Sequence, residues 1–168
     1  MRAPIGCIVL LACVIPLAGR PRIDPRGIRN AASLIPPGLP GGHIVPGSLF
    51  IIRGFGLGPP TPARTPKNPP DTELAGVRVS VNQGSRTWAA LPVQAGTGEI
   101  RAVLPSGVDP GYVSISVSFL GEASEPARAL VLASGFWIFT TTGERLGPIR
   151  DAPVARGERI AVTGPNHQ

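Results

Sequence analysis

The sequence predicts an all-β fold, an antiparallel β-sandwich of about seven short strands in a module of about 100 residues. Apolar and polar residues alternate with a period of two, most clearly over residues 112–119, where Ser114, Ser116 and Ser118 separate apolar residues. The 22 glycines and 21 prolines fall mainly in clusters between the alternating segments, which is typical of turns. No segment shows the periodicity of an amphipathic helix. These observations together favour strands joined by turns.

Each predicted strand is a short apolar or alternating segment bounded by turn residues. Valine alternates with polar residues over 77–81, as a half-buried strand requires. Turn clusters such as Ser106 to Gly111 and Gly121 to Pro126 separate the later strands. The predicted strands cover residues 49–53, 77–81, 87–93, 99–104, 112–119, 127–132 and 136–140.

Two loops interrupt this pattern near the first predicted strand. Residues 59–70 contain six prolines, so we expect an irregular, exposed loop there. The glycine-rich segment 54–58 could suggest a phosphate-binding loop, which needs a helix N-terminus directly after it. Because Pro59 and Pro60 follow, we interpret this segment as a tight turn leaving the first strand.

The N-terminus has the layout of a secretory signal peptide. Residues 1–19 carry a positive charge at Arg2, continue with an apolar run over 5–17 and end in small residues. Both cysteines, Cys7 and Cys13, fall inside this segment, so the mature protein would contain none. Cys13 could alternatively accept a lipid, although the apolar run continues past it. Residues 20–29, rich in Arg and Pro, are predicted to form a flexible leader.

The positive charge does not predict a nucleic-acid partner. The formal net charge is +6, but five of the 16 basic residues precede residue 30. From Asn30 onward 11 basic residues face 9 acidic ones, and no segment combines clustered basic residues with interleaved aromatics. We therefore expect a solvated surface. No membrane span is predicted after removal of the signal peptide.

The order of these segments resembles a known family of modules. The resemblance is to the immunoglobulin-like IPT/TIG modules and, more closely, to a group of uncharacterised exported bacterial modules of that type, often repeated in tandem. It implies an immunoglobulin-like sandwich over residues 30–142. It rests on residues 30–33, 46–48, 54–58, 74–82, 100–105, 110–111, 121–126 and 135–140, taken as an ordered set.

The C-terminal segment repeats the pattern of the first strand. Val154 to Gly164 places a turn, a glycine and a short apolar strand in the order seen at Ile44 to Gly58. Aligning Gly47 with Gly157 gives a spacing of 110 residues, which is the size of one module. We therefore expect residues 143–168 to be a linker and the truncated first strand of a second module. The chain could then be a fragment of a longer protein.

Catalytic and metal-binding residues are sparse. The two histidines are His43 and His167, and a Ser-His-Asp arrangement would need His43 as the base with Ser48 or Ser33 as the nucleophile. No nucleophile-elbow pattern is present, and no set of His, Cys or acidic residues has metal-ligand spacing. We predict no enzymatic activity, no cofactor and no metal site.

Three aromatic residues are candidates for contact with a ligand or partner. Trp88, Tyr112 and Trp137 could stack on a sugar or anchor a protein. Packing in the core or between modules is the alternative, and the favoured one, for both tryptophans.

The sequence therefore predicts a non-catalytic structural or interaction module of an exported bacterial protein, secreted or held at the cell envelope. Its partner would be a protein, a glycan or an adjacent module of the same type. Two alternatives remain open: a carbohydrate- or cell-surface-binding module, and an accessory fragment separated from a larger multidomain protein or enzyme. The fold class alone does not choose among them.

Overall fold

A computed structural model describes residues 19–135, which fold entirely into strands and connecting loops. The predicted all-β class is confirmed: every ladder between neighbouring strands is antiparallel, and no helix occurs in the described range. The strands form one continuous sheet that curls into a half-barrel. A right-handed twist between neighbouring strands favours such curling.

Ten strands lie in the described range, seven on the main path of the sheet and three short ones beside it. In chain order they are β1 (Arg22–Asn30), β2 (Leu49–Phe55), β3 (Ala63–Arg64), β4 (Glu73–Leu74), β5 (Val77–Gln83), β6 (Arg86–Ala95), β7 (Glu99–Val103), β8 (Gly111–Phe119), β9 (Glu122–Ala123) and β10 (Ala127–Val131).

The sheet has the strand order β1-β2-β7-β6-β5-β8-β10. Strand β6 pairs with β5 through residues up to Ala90 and with β7 from Leu91 onward, and its register shifts between Pro92 and Gln94. A register shift of this kind bends a strand. Strand β6 therefore divides the sheet into a first half (β1, β2, β7, the end of β6 and β3) and a second half (the start of β6, β5, β8 and β10, with β4 and β9).

The chain between β1 and β2 ties the two ends of the curled sheet together. Ile44 forms a parallel bridge with Val131 of β10. Its backbone N–H donates to the carbonyl of Leu130 at 3.0 Å, and its carbonyl accepts from the N–H of Leu132 at 3.1 Å. The outer edge of β10 is thus partly covered by the segment that follows β1, which limits unwanted strand pairing there.

Inward side chains from both halves form a single hydrophobic cluster. The alternation predicted over 77–81 and 112–119 is confirmed, because the valines and Ile115 are buried while the intervening residues are more exposed. The cluster contains Ile23, Ile28, Phe50, Ile52, Ile100 and Ala102 from the first half and Val77, Val79, Val81, Val113, Ile115, Val117, Ala129 and Val131 from the second.

The prediction of a flexible leader over residues 20–29 is wrong, because these residues form most of β1. Strand β1 pairs with β2, and Ile23 and Ile28 enter the core. The register shifts between them, so Pro25 stands in an irregular stretch of the outermost strand. Proline is tolerated at such an edge, whereas it argues against a central strand. The first strand therefore begins before residue 30, where the module was predicted to start.

The other predicted strands within the described range are present, with small shifts at their ends. The strand predicted over 49–53 extends to Phe55, and that predicted over 87–93 extends to Ala95. Residues 1–18 of the predicted signal peptide, the predicted strand 136–140 and the segment 143–168 lie outside the described residues. Within residues 19–135 no helix is long and apolar enough to cross a membrane.

Candidate interaction surfaces

Tyr112 is an exposed aromatic residue at the beginning of β8. Its side chain is 62% exposed and lies opposite Leu130 of β10 on the outer surface of the sheet. The guanidinium of Arg128, two residues along β10, lies 4.6 Å from the centre of the Tyr112 ring. This is a cation–π contact, which orients the ring and keeps one side of it beside a positive charge.

Small polar residues extend from Tyr112 across the second half of the sheet. Ser80 of β5 lies opposite Ser116 of β8, and Asn82 lies opposite Ser114. Short side chains leave the pleated surface flat, and hydroxyls can both donate and accept hydrogen bonds. We call this surface the serine face, and its members are Ser80, Asn82, Tyr112, Ser114, Ser116, Ser118 and Arg128, together with Leu130 opposite Tyr112 and Arg78 opposite Ser118.

The loop that leads into Tyr112 is fixed by hydrogen bonds from the β5–β6 hairpin. The side-chain amide of Gln83 donates to the backbone carbonyl of Asp109 at 2.9 Å. The guanidinium of Arg86 pairs with the carboxylate of Asp109, with Arg86 Nη1 at 3.1 Å from Asp109 Oδ2. These contacts hold the chain just before β8, so Tyr112 is presented on a backbone that is braced from the neighbouring hairpin.

The three aromatic residues predicted as partner contacts occupy different environments. Trp88 lies opposite Val81 on the inner surface and packs, partly buried, against the hydrophobic cluster. Its position agrees with the favoured core-packing interpretation. Trp137 lies outside the described residues. Within residues 19–135, Tyr112 is therefore the predicted contact residue with an exposed side chain. Its role in binding stays a prediction.

The outer surface of the first half carries a row of arginines. Across the strands, Arg29 of β1, Ile51 of β2 and Arg101 of β7 lie in register, followed by Gln94 of β6 and Arg64 of β3. Arg53 lies on the same surface, two residues along β2 from Ile51. We call this surface the arginine face, and its members are Arg22, Arg29, Ile51, Arg53, Phe55, Arg64, Gln94, Glu99 and Arg101, with Arg26 in the irregular stretch of β1.

Two carboxylates, those of Asp24 and Glu99, lie on the strands that carry these six arginines, and Asp24 forms no ion pair within residues 19–135. Glu99 accepts from Arg53 Nε at 3.2 Å and from Arg101 Nε at 3.0 Å, so one acid serves two cations. Arg29 Nε donates to the backbone carbonyl of Arg26 at 3.1 Å. Arg22, Arg26 and Arg64 form no ion pair with a carboxylate in residues 19–135.

Sequence reasoning missed this cluster of arginines. Three of its members, Arg22, Arg26 and Arg29, were assigned to a flexible leader and so were not counted with the module. The others are spread over β2, β3 and β7 and come together only through strand pairing. A single hint existed in the sequence, since isoleucines at residues 23 and 28 could have marked the leader as a strand.

The glycine-rich segment 54–58 was predicted to be a tight turn, but Gly54 and Phe55 belong to β2, and the chain leaves the strand at Gly56. A Cβ at residue 54 would lie 1.9 Å from the backbone oxygen of Arg22, so only glycine permits β1 to approach. Gly56 has a φ of 62°, and the N–H of Leu57 donates to the carbonyl of Thr97 at 3.0 Å. No helix follows this segment in the described residues.

The residues considered for a Ser-His arrangement serve local turns. The hydroxyl of Ser48 donates to the carbonyl of Val45 at 2.7 Å, and the hydroxyl of Ser33 donates to the carbonyl of Gly41 at 3.3 Å. Burial lowers the pKa of His43 from its ordinary value of 6.5. His167 lies outside the described residues. The expected absence of enzymatic activity stays a prediction.

No group of three or more His, Cys, Asp or Glu residues within the range 19–135 is arranged to hold a metal ion. Comparison of the chain with protein-family models and with curated protein sequences finds no match.

The fold therefore gives the class of this protein: residues 19–135 form an all-β module built on one curled antiparallel sheet.

Proposed function

We propose that the chain is a non-catalytic interaction module of an exported bacterial protein, and that it contacts its partner through the serine face. The exposed pair formed by Tyr112 and Arg128 carries this proposal. Both residues project from regular strands of a sheet with a continuous core, so they are held in place without a partner. A site on rigid strands loses less conformational entropy on binding than a site on loops.

The chemistry of Tyr112 suits an anchor. Tyrosine combines a large apolar ring with a hydroxyl, and it is enriched among the residues that dominate binding energy. A cation–π contact at an exposed site contributes about 0.5–1 kcal/mol of interaction free energy. The contact with Arg128 therefore orders both side chains before a partner binds. A partner that stacks on the ring would also meet the hydroxyls of Ser114 and Ser116, which lie further along the same strand.

We also propose an immunoglobulin-like, IPT/TIG-type sandwich as the finer description of the fold. Its support is the pairing of β6 with both halves, which lets β1, β2 and β7 lie over β5, β8 and β10. One cluster collects inward side chains from all of these strands. Export outside the cytoplasm is proposed from the signal-like residues 1–19.

Export is tested by expressing the full chain with a C-terminal epitope in a bacterial host and fractionating the cells. We expect the protein in the envelope or medium with a new N-terminus near Arg20, measured by N-terminal sequencing. Replacing apolar residues Leu10 and Leu11 with Arg should retain the unprocessed chain in the cytoplasm. An unprocessed wild-type chain found in the cytoplasm would contradict export.

The partner contact is tested by placing a photo-crosslinking amino acid at residue 112 of the exported full chain. We expect a discrete crosslinked species that disappears with Arg128→Ala, because the guanidinium orients the residue at position 112. The matched control places the same amino acid at residue 55, since Phe55 is 70% exposed on the other half of the sheet. Identical crosslinks from both positions would argue against a specific surface.

A carbohydrate-binding role is the second candidate, favoured by the flat array of hydroxyls beside an exposed aromatic ring. Aromatic stacking combined with hydroxyl hydrogen bonds is the chemistry that recognises neutral sugars. A neutral-glycan array probed with the full chain, with Tyr112→Ala and with the control Phe55→Ala tests it. We expect binding that Tyr112→Ala abolishes and Phe55→Ala preserves. Retained binding by Tyr112→Ala would exclude this candidate.

A further inference from the structure

We propose that the arginine face binds a linear acidic polysaccharide that runs across the strands of the first half. This goes beyond the role proposed for the serine face, because it concerns the other half of the sheet and different residues. The observation behind it is the row in which Arg29, Arg101 and Arg64 occupy every second strand.

The excess of positive charge is local to this surface. In the second half Arg78 Nη2 lies 2.6 Å from Glu73 Oε2, and Arg86 Nη1 lies 3.1 Å from Asp109 Oδ2. Arg128 contacts Tyr112 and pairs with no carboxylate among residues 19–135, but Glu122 of β9 adds an acid to the same half. In the first half Arg22, Arg26 and Arg64 have no carboxylate partner among residues 19–135, and Arg53 and Arg101 share Glu99. A surface with such unbalanced charge attracts anions, and the attraction is screened by salt.

The spacing of the arginines suits a polymer with separated charges. Neighbouring strands lie about 4.8 Å apart, so residues two strands apart on the row are separated by about 10 Å. Arg29, Arg101 and Arg64 therefore mark a line of about 20 Å with a cation at each end and one in the middle. A guanidinium binds a carboxylate or sulfate through two parallel hydrogen bonds, which a lysine cannot do.

The residues between the arginines fit a sugar chain better than a nucleic acid. Gln94 lies between Arg101 and Arg64 and offers both a donor and an acceptor to sugar hydroxyls. Ile51, between Arg29 and Arg101, is buried, so a chain bound to this part of the row would contact the two arginines and not the isoleucine. Single-stranded nucleic acids need aromatic side chains on which bases stack. The row itself contains none, but the exposed Phe55 lies on the same surface opposite Arg22, so single-stranded DNA is the competitor that the test must separate from a polysaccharide.

Two of the arginines are already oriented by the protein. Arg29 is half-buried, and its Nε donates to the carbonyl of Arg26. Arg101 is held by Glu99, whose other oxygen accepts from Arg53. Side chains that are ordered before binding lose less entropy when the ligand arrives. Arg64 is exposed and makes no ion pair with any described acid, so it is available to a ligand.

The test measures binding of the purified full chain to polygalacturonate, which carries carboxylates, and to heparin, which carries sulfates. We expect binding to at least one of them, weakening between about 50 and 200 mM salt. Arg64→Gln combined with Arg101→Gln should lower the affinity about fivefold, as expected for two modest surface ion pairs. The control, Arg78→Gln combined with Arg86→Gln, removes the same charge from the second half and should change the affinity by less than about twofold.

Four results would overturn the proposal. The first is absence of binding to both polysaccharides at low salt. The second is an equal loss of affinity in the two double variants, which would mean that net charge alone drives binding. The third is tighter binding to single-stranded DNA or to phosphatidylglycerol vesicles than to either polysaccharide. If the double variant fails to fold, Arg64→Gln alone replaces it in the binding measurement, because Arg64 is exposed on a two-residue strand. The fourth result is an unchanged affinity in the folded Arg64→Gln protein.

Discussion

The second half of the sheet alternates cleanly, with valines and Ile115 inside and serines outside, whereas the first half has large or charged residues on both surfaces. In β2, Phe50 and Ile52 enter the core while Ile51, between them, is buried on the outer surface beside Arg29 and Arg101. The outer surface of the first half thus buries one large apolar side chain, Ile51, whereas the outer surface of the second half presents small hydroxyl groups.

This difference shows that one sheet can carry two surfaces with different chemistry. The second half solvates its outer surface with short side chains, which is usual for an antiparallel strand with one wet face. In the first half Ile51 lies in register between Arg29 and Arg101, whose aliphatic stems can lie over apolar neighbours while the charge stays in water. Substitutions on the two halves should therefore have unequal effects on stability.

The largest expected effect concerns the junction between β1 and β2. A Cβ at residue 54 would lie 1.9 Å from the oxygen of Arg22, so Gly54→Ala must push β1 away from β2. We expect a loss of about 3 kcal/mol in the free energy of unfolding, at the upper end for overpacking. Urea denaturation measures it. Gly98→Ala is the matched control, because its added Cβ would meet nothing closer than 3.8 Å.

Gly98→Ala should change the free energy of unfolding by less than about 0.5 kcal/mol. Equal stabilities of Gly54→Ala and wild type would show that β1 does not pair with β2 as described. Such a result would also remove Arg22 and Arg29 from the arginine face, since their placement depends on that pairing.

A smaller effect on the free energy of unfolding distinguishes the outer surfaces of the two halves. Ile51→Ala removes a buried side chain from the outer surface of the first half and should cost about 2 kcal/mol in the free energy of unfolding, the low end for such a truncation because Ile51 lies outside the hydrophobic cluster. Ser116→Ala, on the outer surface of the second half, should change stability by less than about 0.5 kcal/mol. Thermal unfolding followed by circular dichroism compares the two variants. Equal costs would mean that the two outer surfaces are alike.

The sequence predicts the second half of the sheet better than the first because apolar and polar residues alternate cleanly in the second half and not in the first. Period-two alternation identifies a strand and its buried face together, as in 77–81 and 112–119. Strand β1 contains Pro25 and Gly27 and no sustained alternation, because its irregular stretch opposite Arg53 breaks the period. Edge strands tolerate such residues, so composition alone suggested a flexible leader.

The candidate surfaces were predictable only in part. Tyr112 was identified from the sequence because aromatic residues are few and it lies in a strongly alternating strand. Its contact with Arg128 depends on the register of β8 against β10, which the sequence does not reveal. The arginine row depends on four such registers at once, so no local pattern could have placed Arg29, Arg101 and Arg64 together.

The smallest expected effect concerns His43, in the segment that joins the two ends of the sheet before Ile44. Burial lowers the pKa of His43 in the folded protein, so the unfolded chain takes up a proton first as the pH falls below about 6.5. The stability associated with neutral His43 is therefore present above that pH and is lost as the pH falls through the window between 6.5 and the lower folded value. We expect His43→Gln to flatten the fall of the unfolding temperature between about pH 7 and pH 5. An unchanged slope would mean that protonation of His43 does not weaken the link between β1 and β10.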